Sequence, residues 1–171
     1  LAELGLSEKI EAIGTPLQRM QIIDATDRLI HSPTVTFSAL EIDEPHFGLN
    51  LPNVDLLNTL DEAVRASDLI ERHEIAVTSW GFDTDRVRAH LADGRVLVAQ
   101  LAIAADGRGS PAREAAGIDG TRRQLPQVAL VLSFAHTRDH NFTSTEFHTP
   151  TGPFTQVPLS GKRSSLVWVE R

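Results

Sequence analysis

The stretch Leu101-Ala-Ile-Ala-Ala-Asp106-Gly107-Arg108-Gly109-Ser110-Pro111-Ala112-Arg113-Glu-Ala-Ala-Gly117-Ile118 decides how the chain is read. Leu101 to Ala105 is an apolar run without alternation, which suits a strand covered on both faces, as in a parallel sheet. Ser110 then supplies a helix N-cap, Pro111 suits the first helical position, and Gly117 is a C-terminal stop. The order strand, Asp-Gly turn, helix sets a carboxylate at the carboxyl end of a strand, where open α/β sheets bind ligands. A purely structural turn, with Asp106 bonded to its own loop, reads the same residues equally well. Gly107, Gly109 and Ala112 match the spacing G-x-G-x-x-G/A. A dinucleotide fingerprint opens a βαβ unit, however, and here a hairpin meander precedes the strand, and the nearest acidic residue after a following strand is Asp139, well past the ~20-residue spacing. Ser110 also fails as a nucleophile elbow, because positions 108 and 112 are Arg and Ala where that motif needs glycine.

Before this stretch, Ile75 to Trp80, Arg86 to Leu91 and Arg95 to Val98 predict a three-stranded meander. Val87, Ala89 and Leu91 alternate with Arg86, Arg88 and His90, so one face is wet, and Asp93-Gly94 reads as a type I′ turn. Towards the amino end, Leu1, Leu4, Leu6, Ile10 and Ile13 recur at helical spacing up to Gly14 and Pro16. Arg19 to Asp24 and Thr34 to Ala39 predict paired strands, and Phe47 to Leu51 adds another. From Pro52 a second helix runs to about Ser67, with Val54, Leu57, Leu60, Ala63 and Val64 on its apolar face. Beyond Pro126 the chain reads as four strands: Gln127 to Phe134, Phe142 to His148, Phe154 to Leu159, and Ser165 to the end.

Composition narrows the function classes. Sixteen Lys and Arg against 23 Asp and Glu give a net charge of −7 with no basic stripe, which argues against nucleic acid as a partner. The absence of cysteine removes disulfides, thiolate catalysis and cysteine metal sites. The apolar run from Val128 to Ala135 is far short of the ~20 residues of a bilayer span. His136 and His140 have H-x3-H spacing at a strand end instead of on a helix and read as solvated loop residues, so no metal site is assigned. The chain opens at Leu1 without Met or a signal region and closes on a strand in progress, which reads as a fragment.

Residues 101–118 resemble the "DG" motif of flavoprotein aromatic hydroxylases, in the form A-D-G-x-x-S-x-x-R typical of the ubiquinone-biosynthesis hydroxylases (the 2-polyprenylphenol/6-methoxyphenol hydroxylase family). Leu91-Ala-Asp-Gly-Arg95 resembles the family's preceding hairpin, and Phe47-Gly-Leu-Asn-Leu-Pro-Asn53-Val-Asp-Leu-Leu57 the stretch entering the helix before it. Phe147-His-Thr-Pro-Thr-Gly152-Pro153-Phe154-Thr-Gln-Val-Pro-Leu159 and Ser164-Ser-Leu-Val-Trp168 resemble its substrate-domain strands.

The resemblance implies an α+β (α/β) fold in which an FAD-binding domain is interleaved with an antiparallel, β-rich substrate domain. Residues 1–51 would be substrate-domain strands with a leading helix, 52–120 part of the FAD-binding domain, and 121–171 an incomplete substrate-binding domain. It implies FAD as cofactor, NAD(P)H as reductant, and O2 with a hydrophobic phenolic substrate. Asp106 would lie near the ribose and pyrophosphate region of the flavin, and Gly107 would allow that approach. Arg113 matches the motif's arginine, counted as cofactor-binding with a loop-orienting part. Asn53 stands near a position where members often carry Arg or another polar residue facing the cofactor. Gly152, Pro153 and Phe154 match the start of a strand beside the substrate cavity, with Val157 and Leu159 following. No residue is assigned as catalytic. The family's N-terminal G-x-G-x-x-G and C-terminal G-D-A-x-H segments have no counterpart here, so the chain reads as a central piece, inactive alone. The parent is expected to be cytoplasmic, peripheral to the inner membrane, with self-association or membrane contact. The alternative is a non-enzymatic α+β binding module with a structural Asp-Gly turn.

Overall fold

The computed structural model describes residues 2–170. In chain order the elements are α1 (Ser7–Ile13), β1 (Thr15–Pro16), β2 (Arg19–Asp24), β3 (Val35–Ser38), β4 (Leu49–Asn50) and α2 (Asn53–Arg65). There follow β5 (Val77–Phe82), β6 (Val87–Leu91), β7 (Val96–Ala99), α3 (Pro111–Ala115), β8 (Val128–Ala135), β9 (Thr143–His148), β10 (Pro153–Leu159) and β11 (Arg163–Glu170). The chain forms two compact units, one running up to Asp68 and resuming at Leu125, the other Leu69–Gln124. These limits follow compactness, and α2 falls within the first unit although the sequence reading groups it with residues 52–120.

The first unit is built on a six-stranded sheet in the order β3-β2-β9-β10-β11-β8. Every neighbouring pair in it is antiparallel except β2 with β9. The paired β-rich runs in the amino-terminal part are thus β2 and β3, as their composition predicts. A two-residue ladder joins β1 to β4, and Asn50 Nδ2 donates to the Pro158 carbonyl at 2.7 Å, tying β4 to β10. Leu6, Ile10, Ala39, Leu159 and Leu166 are buried, with Pro158 the most enclosed large residue. Gly14 ends α1 where β4 comes close: a Cβ there would meet Leu49 Cβ at 3.0 Å.

α2 covers part of the expected face. Leu60, Ala63 and Val64 are half-buried as expected, whereas Val54 and Leu57 are 60% and 56% exposed and the inward flank includes buried Thr59 and half-buried Leu56. A threonine is tolerated at the buried position because its hydroxyl donates to the Asp55 carbonyl one turn back, at 2.8 Å. The covered flank is therefore partly rotated from the stripe that hydrophobicity alone selects.

The second unit contains the meander β5-β6-β7 in sequence order. Ala89 and Leu91 are buried and Arg88 is exposed, as the alternation predicts. The β6–β7 connection is not a type I′ turn, because Gly94 has φ 86 but Asp93 is absent from the described residues with positive φ. Leu91 N–H instead bonds the Arg95 carbonyl at 2.8 Å and Gly94 N–H the Leu91 carbonyl at 3.0 Å, a three-residue loop with glycine in the left-handed position. Asp93 Oδ1 accepts the Arg95 amide at 3.1 Å, which favours this longer loop.

Contrary to the expectation of a covered strand, Leu101 to Ala105 carries no ladder pairing among the described residues; Leu101 and Ile103 are 75% and 85% exposed. A covered strand needs partners on its edges, and β5, β6 and β7 pair only with one another. The helix signals beyond it hold: Ser110 caps α3, and Gly117, at φ 67, closes it. Gly117 N–H bonds the Glu114 carbonyl and Ile118 N–H the Arg113 carbonyl, the paired bonds of a Schellman stop.

Candidate functional site

The Asp106 loop lies in the second unit. Ser110 N–H bonds the Gly107 carbonyl at 3.2 Å and closes a turn over residues 107–110. At the start of α3, Pro111 has no N–H, Asp106 Oδ2 accepts the Ala112 N–H at 3.2 Å, and Ser110 Oγ accepts the Arg113 N–H at 3.0 Å. Arg113 Nη1 reaches back to the Arg108 carbonyl at 3.3 Å, bracing the loop against the helix. The Ser110 hydroxyl, then the Ala112 amide, hold the Asp106 carboxyl below its ordinary range, with the Arg113 charge a smaller contribution. Asp106 is therefore a fixed, ionised acceptor at the protein surface.

Gly107 has φ 85, and a Cβ added there would meet no heavy atom within 4 Å, so the space in front of the loop is open. Trp80, Phe82, Asp106, Gly107, Ser110 and Arg113 border a cleft of about 400 Å3. A carboxylate has about four lone-pair directions, so two protein donors leave capacity for a ligand hydroxyl. The ribose of FAD offers such a hydroxyl, and an aromatic-walled cleft beside an open glycine fits it. The first free N–H groups of α3 are already taken by Asp106 and Ser110, so the short helix offers no vacant cradle for a pyrophosphate. The remaining acceptor capacity of Asp106 fits the sugar end of the cofactor and leaves the phosphates to other residues.

The other sequence-derived candidates lie in the first unit. Asn53 is the exposed first residue of α2, directly after Pro52 at the N-cap. Gly152 lies tightly beneath β11: a Cβ would meet the Val169 carbonyl group, with Val169 Cβ at 3.3 Å. Pro153 and Phe154 begin β10 opposite His148 and Phe147 of β9. Phe154 meets Phe147 and Trp168 edge to face, at ring separations of 5.9 and 5.7 Å. Strand alternation puts Val157 and Leu159 on the sheet face opposite to Phe154, so the three do not form one wall. Asn50, whose side chain also approaches Ser165 Oγ at 3.5 Å, escaped the sequence reading because both partners lie more than a hundred residues away.

The two histidines are not simply solvated. His136 and His140 are half-buried and form part of an edge-to-face series from Phe134 to Phe142, with the imidazoles 5.8 Å apart. Each ring nitrogen of both residues has a hydrogen-bond partner.

Comparison with known proteins defines the class. The fold is shared with PqsL from P. aeruginosa in complex with 2-aminobenzoylacetate, at TM-score 0.79 and 23% identity over 97% of this chain and 46% of that one. It is shared also with Klebsiella pneumoniae HpxO complexed with FAD and uric acid, at TM-score 0.73 and 24% identity over 98% and 43%. The shared fold is α+β, mixed sheets with few helices. The FAD binding domain family matches residues 1–170, and the chain belongs to that family. Ubiquinone biosynthesis monooxygenase COQ6 of Xenopus tropicalis is 35% identical over 98% of this chain and 38% of its own length. Ubiquinone hydroxylase UbiL of Rhodospirillum rubrum is 46% identical over 56% of the chain and 22% of its own length. The 3-demethoxyubiquinol 3-hydroxylase of Escherichia coli is 30% identical over 80% and 35%. The chain thus spans well under half the length of these relatives.

Proposed function

We propose that the full-length protein is an FAD-dependent monooxygenase that hydroxylates a hydrophobic phenolic ring in ubiquinone biosynthesis. The observation that carries this reading is the fixed, ionised Asp106 beside open Gly107, in a chain similar to COQ6 from end to end. When bound, FAD would carry electrons from NAD(P)H to O2 and deliver one oxygen atom to the ring. The protein's part is to hold, orient and shield. Asp106 accepts a ribose hydroxyl, Gly107 lets the cofactor approach, and Arg113 keeps the loop in position. Asn53, on α2, is a further polar contact to the cofactor. The region 52–120 serves FAD, and 1–51 with 121–171 serves the substrate, Gly152, Pro153 and Phe154 lying beside its cavity.

No helix among the described residues is long and apolar enough to cross a membrane. We place the full-length protein in the cytoplasm, peripheral to the inner membrane where a prenylated phenol is found, with self-association or membrane contact supporting access to that substrate. The test is the purified full-length protein: flavin absorbance, and NAD(P)H-dependent O2 uptake stimulated by a prenylated phenol with recovery of the hydroxylated ring. A colourless protein would reject the reading and favour a non-enzymatic binding module, and NAD(P)H oxidation without hydroxylated product would reject the hydroxylase assignment.

A further inference from the structure

We propose that His140 is a protonation-sensitive latch that holds the register of the parallel β2–β9 seam. Hairpin turns set the register of β9 with β10 and of β10 with β11, whereas β2 and β9 are far apart in sequence and no turn aligns them. A slip of one residue would turn every β2 side chain to the other face. The far end of the seam is closed by the Ala25 N–H to the His148 carbonyl at 3.0 Å, and its entry is fixed by the residue before β9: the Phe142 carbonyl accepts both the Gln18 N–H at 2.9 Å and the Arg19 N–H at 3.2 Å, immediately ahead of the first pair, Arg19 with Thr143.

That carbonyl is aimed by an unfavourable corner. Asn141 and Phe142 are consecutive left-handed residues, with φ 49 and 54, and an aromatic side chain rarely adopts that conformation. His140 holds it. Its Nε2 lies 3.0 Å from the Leu159 carbonyl and 2.9 Å from the Gly161 carbonyl, so this nitrogen must carry the proton. Nδ1 is then the bare acceptor, and it takes the Phe142 N–H at 3.1 Å. The His140 carbonyl also accepts the Thr143 N–H at 3.0 Å, and its ring lies 5.5 Å from that of Phe142. One neutral imidazole thereby ties the β8–β9 corner to the β10–β11 hairpin and fixes the amide of the strained residue.

Protonation places a hydrogen on Nδ1 and sets donor against donor at the Phe142 N–H. The Nε2 bonds survive, so the ring stays on the hairpin while the corner is released. The charged or titratable groups around it are His136 at the end of β8, Asp139 beside it, Lys162 and Arg163 on the hairpin, and Arg19 on β2. Asp139, the single carboxylate among them, already accepts the Asn141 N–H at 2.9 Å. His136 lacks this sensitivity: Nδ1 donates to the Arg138 carbonyl and Nε2 faces the Ser164 hydroxyl, which can rotate to donate or accept.

Imidazole nitrogen chemical shifts of the purified chain read the first requirement without any variant. At about pH 7.5 the His140 ring should be the neutral Nε2–H tautomer; a bare Nε2 with protonated Nδ1 would overturn the proposal. Amide exchange reads the second. Protection of Gln18, Arg19 and Phe142, corrected for intrinsic rates, should fall about five- to tenfold between about pH 7.5 and pH 5, the factor one net hydrogen bond carries. The fall should persist in His136→Gln, and protection in His140→Phe should be low and independent of pH. Unchanged wild-type protection across that range, or a fall abolished by His136→Gln, would overturn it. Should His140→Phe fail to fold, the wild-type and His136→Gln measurements still decide.

Discussion

Asp106 Oδ2 accepts the Ala112 N–H at 3.2 Å, so the carboxylate is held in place by the helix that follows it. A group fixed in this way is pre-organised: its geometry exists before a ligand arrives, and little ordering entropy is left to lose on binding. The structural turn and the cofactor contact are therefore compatible roles for one residue.

Ser110 is the second support of that arrangement, buried and capping Arg113. Ser110→Ala should cost about 0.5–2 kcal/mol in urea unfolding. Because the Ser110 hydroxyl is the largest influence lowering the Asp106 pKa, the same variant should raise it towards the ordinary carboxylate value, read by carboxyl carbon shifts against pH.

Gly152→Ala tests close packing. The new Cβ would meet the carbonyl group of Val169, with its carbon at 3.0 Å, and backbone cannot swing aside as a side chain can. The expected loss is about 1–3 kcal/mol, measured by denaturant midpoint. Gly48→Ala, where nothing lies within 4 Å of the added carbon, is the matched control and should change stability far less.

Phe154→Ala removes the middle ring of the Phe147, Phe154 and Trp168 series. Since Trp168 is 37% exposed, the series is only partly covered, and a loss of about 2 kcal/mol is expected, below that of a fully buried phenylalanine. Trp168 fluorescence should shift with it. If the full-length protein hydroxylates phenols as proposed, the variant should also alter selectivity among phenols of different tail length; unchanged turnover and selectivity would confine Phe154 to a structural part.

Asp24 gives the chain an acid-sensitive loop. Its carboxylate accepts the Ser32 and Thr26 amides at 2.9 and 3.1 Å and the Thr26 hydroxyl at 2.6 Å, which hold its pKa well below the usual range. A folded value below the unfolded one means the stabilisation is complete above about pH 4 and is lost as pH falls through the folded value. Wild type should therefore lose more stability than Asp24→Asn as pH is lowered below about 4. Parallel acid profiles would contradict this.

What sequence makes legible here is local. The caps and stop of α3, the alternation in β6 and the strands beyond Pro126 follow from neighbours within a few residues. Features that depend on distant partners were not legible. Leu101 to Ala105 has a buried strand's composition but no ladder, and the buried flank of α2 includes Thr59, whose hydroxyl is satisfied by a backbone carbonyl. The parallel seam, Asn50 and the His140 bonds all join segments whose proximity no periodicity announces. The candidate site divides the same way: residues 106–113 cohere as a local motif, while Phe154 is separated from Val157 and Leu159 by the sheet itself.

Flavin affinity of the full-length protein with and without the Asp106 carboxylate tests most directly whether the Asp106 loop holds FAD. Titration of apoprotein followed by quenching of flavin fluorescence should show saturable binding, weakened about 10- to 100-fold in Asp106→Ala through loss of a charge-assisted hydrogen bond. Equal affinity in a variant whose fold is intact by amide spectra would contradict the assignment.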